Sequence, residues 1–414
     1  MSKYSEQVSG VSTEVVRRRF VLTKTSINVG LVALLFFTSS GAFFRFGAMT
    51  GLIWTAATAL ACYWFLSTPR LMSRLLAEHW LILLLPLFAI LSTAWSGNKS
   101  VTLQDGVQLL FTTIISLRIV TTLDTRQIMI ALMLGMVGPT ALSVLNLISG
   151  FLPPVYELNG ALLGIFTQKN IFAKAVFWGS FAVMALCLMN RRPMVGIVFM
   201  VATFPLTVLA LSKTGQIGYG FIVLLLVLSA LRRLSITTRI LLPAMCVLTF
   251  AALALIYIAT GGSLFAEILA LLGKNSTLTG RTVIWALGFQ VWQDNMLVGI
   301  GMDTFWTSPT YANQVAFISA NVEDGVEGFH NAYVEILVAM GSIGGVYFIG
   351  MIGTKWIMLM RAYLATRSLN VAIWLAVLTA VAALGMFEDS FFRPRSGHMM
   401  FAIMSFAYAK RLGR

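Results

Sequence analysis

The chain has 414 residues, of which 58% are hydrophobic and 11% charged, with a formal net charge of +14. A soluble domain carries roughly 25% charged residues, so a soluble globular fold is excluded. Continuous rather than alternating apolar runs exclude a membrane β-barrel as well. The three cysteines, Cys62, Cys187 and Cys246, all lie inside apolar runs and can anchor no disulfide framework.

Taken in chain order, the basic stretch "VVRRRFVLTK" comes first. It resembles the basic region of a signal peptide, but further apolar runs follow at once, which predicts an uncleaved anchor. Twelve spans are expected, at about 27–44, 47–66, 79–95, 101–121, 128–149, 170–189, 194–211, 215–231, 240–260, 331–353, 370–386 and 397–409. With the N-terminus inside, 20 of the 29 cations and four of the 15 acids fall on inside segments. The balance is then +16 inside and −2 outside, as the positive-inside rule requires. The positive charge therefore marks cytoplasmic loops and implies no nucleic-acid partner. The expected fold is an all-α polytopic helical membrane protein with about 12 transmembrane helices and both termini cytoplasmic. Residues 1–260 would form spans 1–9 and 331–414 spans 10–12. Residues 261–330 would form a periplasmic loop domain carrying an interfacial helix.

Nine cations remain outside: Arg45, Lys99, Lys169, Lys174, Lys213, Lys274, Arg281, Arg393 and Arg395. Most stand where an outward-facing helix begins. A helix N-terminus already carries about half a positive charge, so a cation there is locally unfavourable unless an anion joins it. One such cation alone can simply snorkel to the interface. "LALSKTGQIGYG" surrounds Lys213 with hydroxyls and glycines, as a phosphate cradle would, but lacks P-loop spacing. "NSTLTGRTVIWALGFQVWQDN" places Thr279 as a cap and Arg281 in the first turn of a helix. Trp285, Phe289, Trp292 and Met296 then recur at helical spacing, as on a helix lying at headgroup depth. "NMLVGIGMDTFW" reads as a turn returning the loop over the site. Finally, "GFHNAYVEILVAMGSIGG" sets His330 and Asn331 before a span, behind the acids Glu323, Asp324 and Glu327. Gly341, Gly344 and Gly345 are expected to let a neighbouring helix approach closely. An outward helix N-terminus favours a neutral imidazole available as a base, an effect that Glu327 or Glu335 would oppose.

The ordered set "GIFTQKNIFAKAVFWG", "LSKTG", "STLTGRTVIW", "GIGMDTFW" and "HNAYVEILVAMGSIGG" resembles the O-antigen ligase and polymerase family. It is most similar to the ExoQ-like exopolysaccharide polymerase branch. The likeness covers about 160–350 by motif and the first 150 residues by topology only. It implies a GT-C-like glycosyltransferase on the outer face of the bacterial inner membrane, working without metal or other cofactor. Its donor would be an oligosaccharide on undecaprenyl diphosphate. Its acceptor would be another lipid-linked repeat unit or, in the ligase branch, lipid A core. Membrane lipid, a chain-length regulator and a flippase are the implied partners. Carried over by position, Arg281 and Lys213 would hold the diphosphate and His330 would contact the acceptor or leaving group; Lys169, at a helix start, is expected to join the diphosphate ligands, and His330 and Arg281 are the expected catalytic residues. Asn331, Glu327, Glu335, Arg393 and Arg395 would support them. Lysine at 213, where many relatives have arginine, offers a point charge rather than a fork.

Three other readings stay open at the level of sequence. A metal-dependent transferase could use Glu323, Asp324 and Glu327, and sensitivity to EDTA would reveal it. A transporter of lipid-linked sugar should carry ionisable groups at mid-bilayer, whereas these span centres are nearly free of charge. The third is the ligase itself. The topology predicts that, in a cysteine-free background, a cysteine at Asn321 is labelled from the periplasmic side and one at Arg232 is not; the reverse pattern contradicts it.

Overall fold

The computed structural model describes residues 24–42, 48–231, 281–321, 328–388 and 392–412. The expected ninth span at 240–260, the Thr279 cap, Arg45, Lys274 and the acids Glu323, Asp324 and Glu327 lie outside the described residues.

Helix formation follows the apolar runs. The first half contains α1 (Lys24–Ser39), α2 (Ala48–Ser67), α3 (Pro69–Glu78), α4 (Trp80–Leu91), α5 (Lys99–Thr122) and α6 (Thr125–Ser149). Then come α7 (Lys169–Met189), α8 (Pro193–Leu209), α9 (Lys213–Leu231), α10 (Arg281–Asp294) and α11 (Ala312–Asn321). The chain closes with α12 (Ala332–Thr366), α13 (Leu369–Leu384) and α14 (Gly397–Leu412). A single isolated bridge, Tyr156 with Leu162, is the β-type pairing among the described residues. The protein is thus an all-α, multi-pass membrane protein. A helix occupies each of the other eleven apolar segments read from the sequence. Five of these helices are long and apolar enough to cross a membrane, or six if the bent pair α3 and α4 is one span.

Two of the expected span segments take a different course in the structure. The third is preceded by a separate helix, α3, bent 89° from the segment Trp80–Ala94. Its Met72 and Leu75 are buried while Arg70 and Arg74 are exposed, so α3 is amphipathic where α4 is apolar throughout. The tenth runs on to Thr366 and is broken at Gly341, which has φ 63° and ψ −166°. The sequence predicts a neighbouring helix against Gly341, Gly344 and Gly345; among the described residues the atoms nearest to Gly341 belong instead to Leu297 and Val298, and those nearest to Gly344 and Gly345 to Met340 and Leu337 of the same helix. At the break, Ile300 and Gly301 donate backbone N–H bonds to the carbonyls of Val338 and Ala339, both at 3.0 Å. In return Ser342 and Ile343 donate to the carbonyls of Met296 and Leu297, at 2.7 and 3.2 Å. The loop thereby satisfies the groups that the break exposes, which bare hydrocarbon could not. Close approach explains both glycines: a Cβ on Gly299 would lie 2.5 Å from the Val338 carbonyl oxygen, and one on Gly341 would fall onto the Leu297 carbonyl.

The core runs along α13, apolar on all sides and buried from Val371 to Val381 apart from Thr379, between α9, α12 and α14. A helix of that character belongs at the centre of a bundle. Gly341→Ala should lower the thermal unfolding temperature of the detergent-solubilised protein. It forces a side chain into a left-handed conformation costing about 1–3 kcal/mol and pushes the 296–301 loop away. An unchanged melting temperature would show that the loop does not hold the break.

Candidate active site

A cavity of about 460 Å³ opens where three helices begin. Its wall includes first-turn residues of α7 (Asn170, Ile171), α12 (Glu335) and α14 (Gly397, His398). The volume lies within the range of small-molecule sites. Three helix N-termini bring partial positive charge to one place, an environment that suits an anion.

His330 reaches the cavity from an unusual backbone. Its φ is 49°, a left-handed conformation seen more often for histidine than for bulkier residues. Asn331 follows as the N-cap of α12, its side chain accepting from the N–H groups of Tyr333 and Val334 at 3.0 and 3.2 Å. The Ala332 N–H donates to the Gly385 carbonyl at 2.8 Å, tying the start of α12 to the end of α13. Glu335 is buried, and its Oε2 accepts from the Phe329 N–H at 3.2 Å. His330 and Glu335 therefore line one cavity, although five residues on one helix would point them apart. Glu327, the other acid expected near His330, lies outside the described residues.

The cations lining the cavity are Lys174, Arg393 and Arg395. Lys174 pairs with Glu388 at 2.9 Å, with both side chains largely buried. The second oxygen of Glu388, Oε1, is buried without a hydrogen-bond partner among the described residues. Arg393 stands 3.8 Å from Asp303, and Asp303 hydrogen-bonds in turn to Asp105, six residues into α5. The Arg395 Nε donates to Gln108 at 2.8 Å. Desolvation pushes the Arg395 guanidinium below the ordinary arginine range, and the nearby Asp105 opposes the shift; an arginine stays charged regardless. His398 Nε2 accepts from the Trp178 indole N–H at 3.0 Å.

The other expected ligands stand at the margin. Arg281 donates to the Phe387 carbonyl at 3.0 Å, one residue from Glu388. Lys213 is exposed and bonds to Gln216 at 3.3 Å; its neighbour Ser212 donates to Asn170, which lines the cavity, at 2.8 Å. Lys169 pairs with Glu157 at 3.1 Å. None of these three lines the cavity. The sequence reading missed Glu388, Asp105 and Asp303, and gave Lys174 no assigned role. Lys174 was nevertheless visible as a cation in the opening turns of an outward helix. Among the described residues no three His, Cys, Asp or Glu side chains converge as metal ligands would.

The architecture defines a multi-pass helical membrane protein with a polar cavity at the ends of its helices. Residues 195–349 match the family model described as O-antigen ligase. The exopolysaccharide production protein ExoQ of Rhizobium meliloti (strain 1021) is 28% identical over 295 residues, covering 65% of this chain. The chain spans about 62% of ExoQ's length. The resemblance read from the motifs is thereby shown: the chain is similar to the O-antigen ligase family and to its ExoQ-like members. The matched region contains Lys213, Arg281, His330 and Glu335, while Lys174, Glu388, Arg393 and Arg395 fall outside it.

The Lys174–Glu388 pair can be tested by a double-mutant cycle. Lys174→Met alone should destabilise the protein by about 3 kcal/mol, because it leaves a buried carboxylate unpaired. Adding Glu388→Leu should restore most of that loss. Additive losses in the thermal unfolding of the two single variants and the double variant would mean that the groups do not couple.

Proposed function

We propose that the chain is a glycosyltransferase that joins oligosaccharide repeat units carried on undecaprenyl diphosphate into exopolysaccharide, on the outer face of the bacterial inner membrane. The observation that carries this reading is the cavity itself: three helix N-termini with Lys174, Arg393 and Arg395 around His330. A sugar diphosphate fits such a place, since its leaving group gains negative charge as the reaction proceeds. Preplaced cations and helix dipoles stabilise that charge without reorganising.

In the proposed step the acceptor hydroxyl oxygen attacks the anomeric carbon. The bond from that carbon to the diphosphate oxygen breaks, and the diphosphate leaves with the electron pair. The hydroxyl proton passes to His330, which lines the cavity on a backbone fixed by the Asn331 cap. Arg393, Arg395 and Lys174 are the first candidates for the diphosphate. Arg281 and Lys213 would act from the rim, as the donor enters. Glu335 and Glu388 orient neighbouring groups, and the Asp105 and Asp303 carboxyls are suited to sugar hydroxyls. The topology that accompanies this reading has about twelve spans, both termini in the cytoplasm and the cavity facing the periplasm. The ligase reaction uses the same donor chemistry and differs only in its acceptor.

His330→Ala should lower turnover about 10²-fold or more while leaving donor binding nearly intact, because a general base contributes about 10² to 10⁴ in rate. Single-turnover kinetics with a lipid-linked donor would measure both quantities. Lost donor binding with unchanged turnover would make His330 a ligand of the diphosphate rather than the base.

A further inference from the structure

The other end of α14 carries a second polar cluster that the proposed reaction does not use. It lies about 20 Å from the cavity along that helix. His79 sits at the corner between α3 and α4 and is 97% buried, and its Nδ1 has no hydrogen-bond partner among the described residues. Lys410, Arg411 and Lys355 stand close enough to act on it electrostatically, and Glu78 is the one acid among those neighbours. Lys355 comes from α12 and is 91% buried. Its ammonium meets the Met358 sulfur at 3.9 Å and forms no ion pair among the described residues. A buried ammonium without a counter-charge is costly, and a snorkelling lysine would be exposed instead.

The surrounding elements face the same way. The N-terminus of α4 opens at this corner, with His79 as an N-cap that makes no side-chain capping bond. The amphipathic α3 turns away from α4 at 89°, burying Met72 and Leu75 and exposing Arg70 and Arg74. A helix of that kind lies in the membrane interface. Trp80 is exposed at the same corner, and tryptophan collects at membrane–water interfaces.

We propose that His79, Lys355, Lys410 and the start of α4 form a binding site for the phosphate of an anionic phospholipid headgroup, with α3 lying along the same leaflet. The phosphate supplies the counter-charge that Lys355 lacks. Its oxygens accept from the Lys355 ammonium and the α4 amides, and its acyl chains run beside α4. Lys410, half-buried and near His79, adds a second cation. The site lies at the opposite end of the bundle from the cavity, so it tethers and orients the protein and takes no part in the transfer.

The test uses the full chain in neutral detergent, titrated with phosphatidylglycerol and phosphatidylcholine and read by native mass spectrometry. The wild type should retain phosphatidylglycerol over phosphatidylcholine. Lys355→Gln and Lys410→Gln should each weaken that preference at least about fivefold, and Lys355→Arg should keep it. Arg191→Gln, at the basic turn between α7 and α8, should leave it unchanged. Thermal unfolding of each variant checks that it is folded; if Lys355→Gln is not, Lys410→Gln and Arg191→Gln decide. Equal losses in Arg191→Gln and the site variants would mean a diffuse surface charge and overturn the proposal. Displacement of the lipid by inorganic phosphate at comparable concentration would reassign the site to a free anion and also overturn it. An unchanged preference in both Lys355→Gln and Lys410→Gln would do the same.

Discussion

The arrangement depends on one break in one helix. At Gly341 the backbone leaves helical geometry, and the N–H and C=O groups it frees are taken by the loop 296–301. The segment before the break, 332–340, is then short and held at both ends: by the loop at one, and by the Ala332–Gly385 bond and the Asn331 cap at the other. Glu335 is carried on this clamped piece, and His330 immediately precedes its Asn331 cap. The same loop continues into Met302 and Asp303, which also line the cavity. The Met302 carbonyl accepts from Thr102 at 2.7 Å, and Ser96 bonds to both Thr102 and Thr304 at 2.7 Å. One backbone break thus fixes two walls of the cavity against α5. A site held on rigid elements aligns reacting groups better than a free loop can.

The charges in the cavity are not a simple cationic trap. Lys174 is committed to Glu388, and Arg393 leans toward Asp303. Paired in this way, a cation can remain in a desolvated place without an anion present. An arriving diphosphate would compete with those carboxylates, while the helix N-termini continue to favour negative charge. The acids also give the cavity acceptors for sugar hydroxyls, which a purely basic pocket would lack. The unpartnered Oε1 of Glu388 is the most exacting case, because a buried acceptor without a donor is costly.

Much of the fold was legible in the sequence, for a physical reason. Apolar runs must become helices in a bilayer, so their positions follow from composition alone. The start of α12 was equally readable: Asn331 caps it and His330 stands just before it, as "HNAYVEIL" suggests. The "NMLVGIG" turn is readable, but not its target, because the bonds that Ser342 and Ile343 donate to the Met296 and Leu297 carbonyls leave no periodic trace. The site was only partly readable. Of the cations expected at helix starts, Lys174, Arg393 and Arg395 line the cavity while Lys213, Lys169 and Arg281 do not. Local sequence could not separate them, since the distinction rests on partners such as Glu388, 214 positions from Lys174. Asp105 was hidden for a related reason. It lies inside an expected span, and its contact with Asp303 and the Gln108–Arg395 bond one turn on show that this part of the span faces a polar cavity.

The central claim is that the cavity transfers glycosyl groups from a lipid diphosphate rather than moving the lipid-linked sugar intact. The most direct measurement reconstitutes the purified chain in liposomes with a synthetic polyprenyl-diphosphate-linked oligosaccharide as the sole sugar lipid. Polyprenyl diphosphate released and sugar chains lengthened are then counted together. The account predicts one polyprenyl diphosphate freed for each glycosidic bond formed, with both lost in His330→Ala. Passage of the intact sugar lipid to the opposite leaflet, with no diphosphate freed, would contradict it.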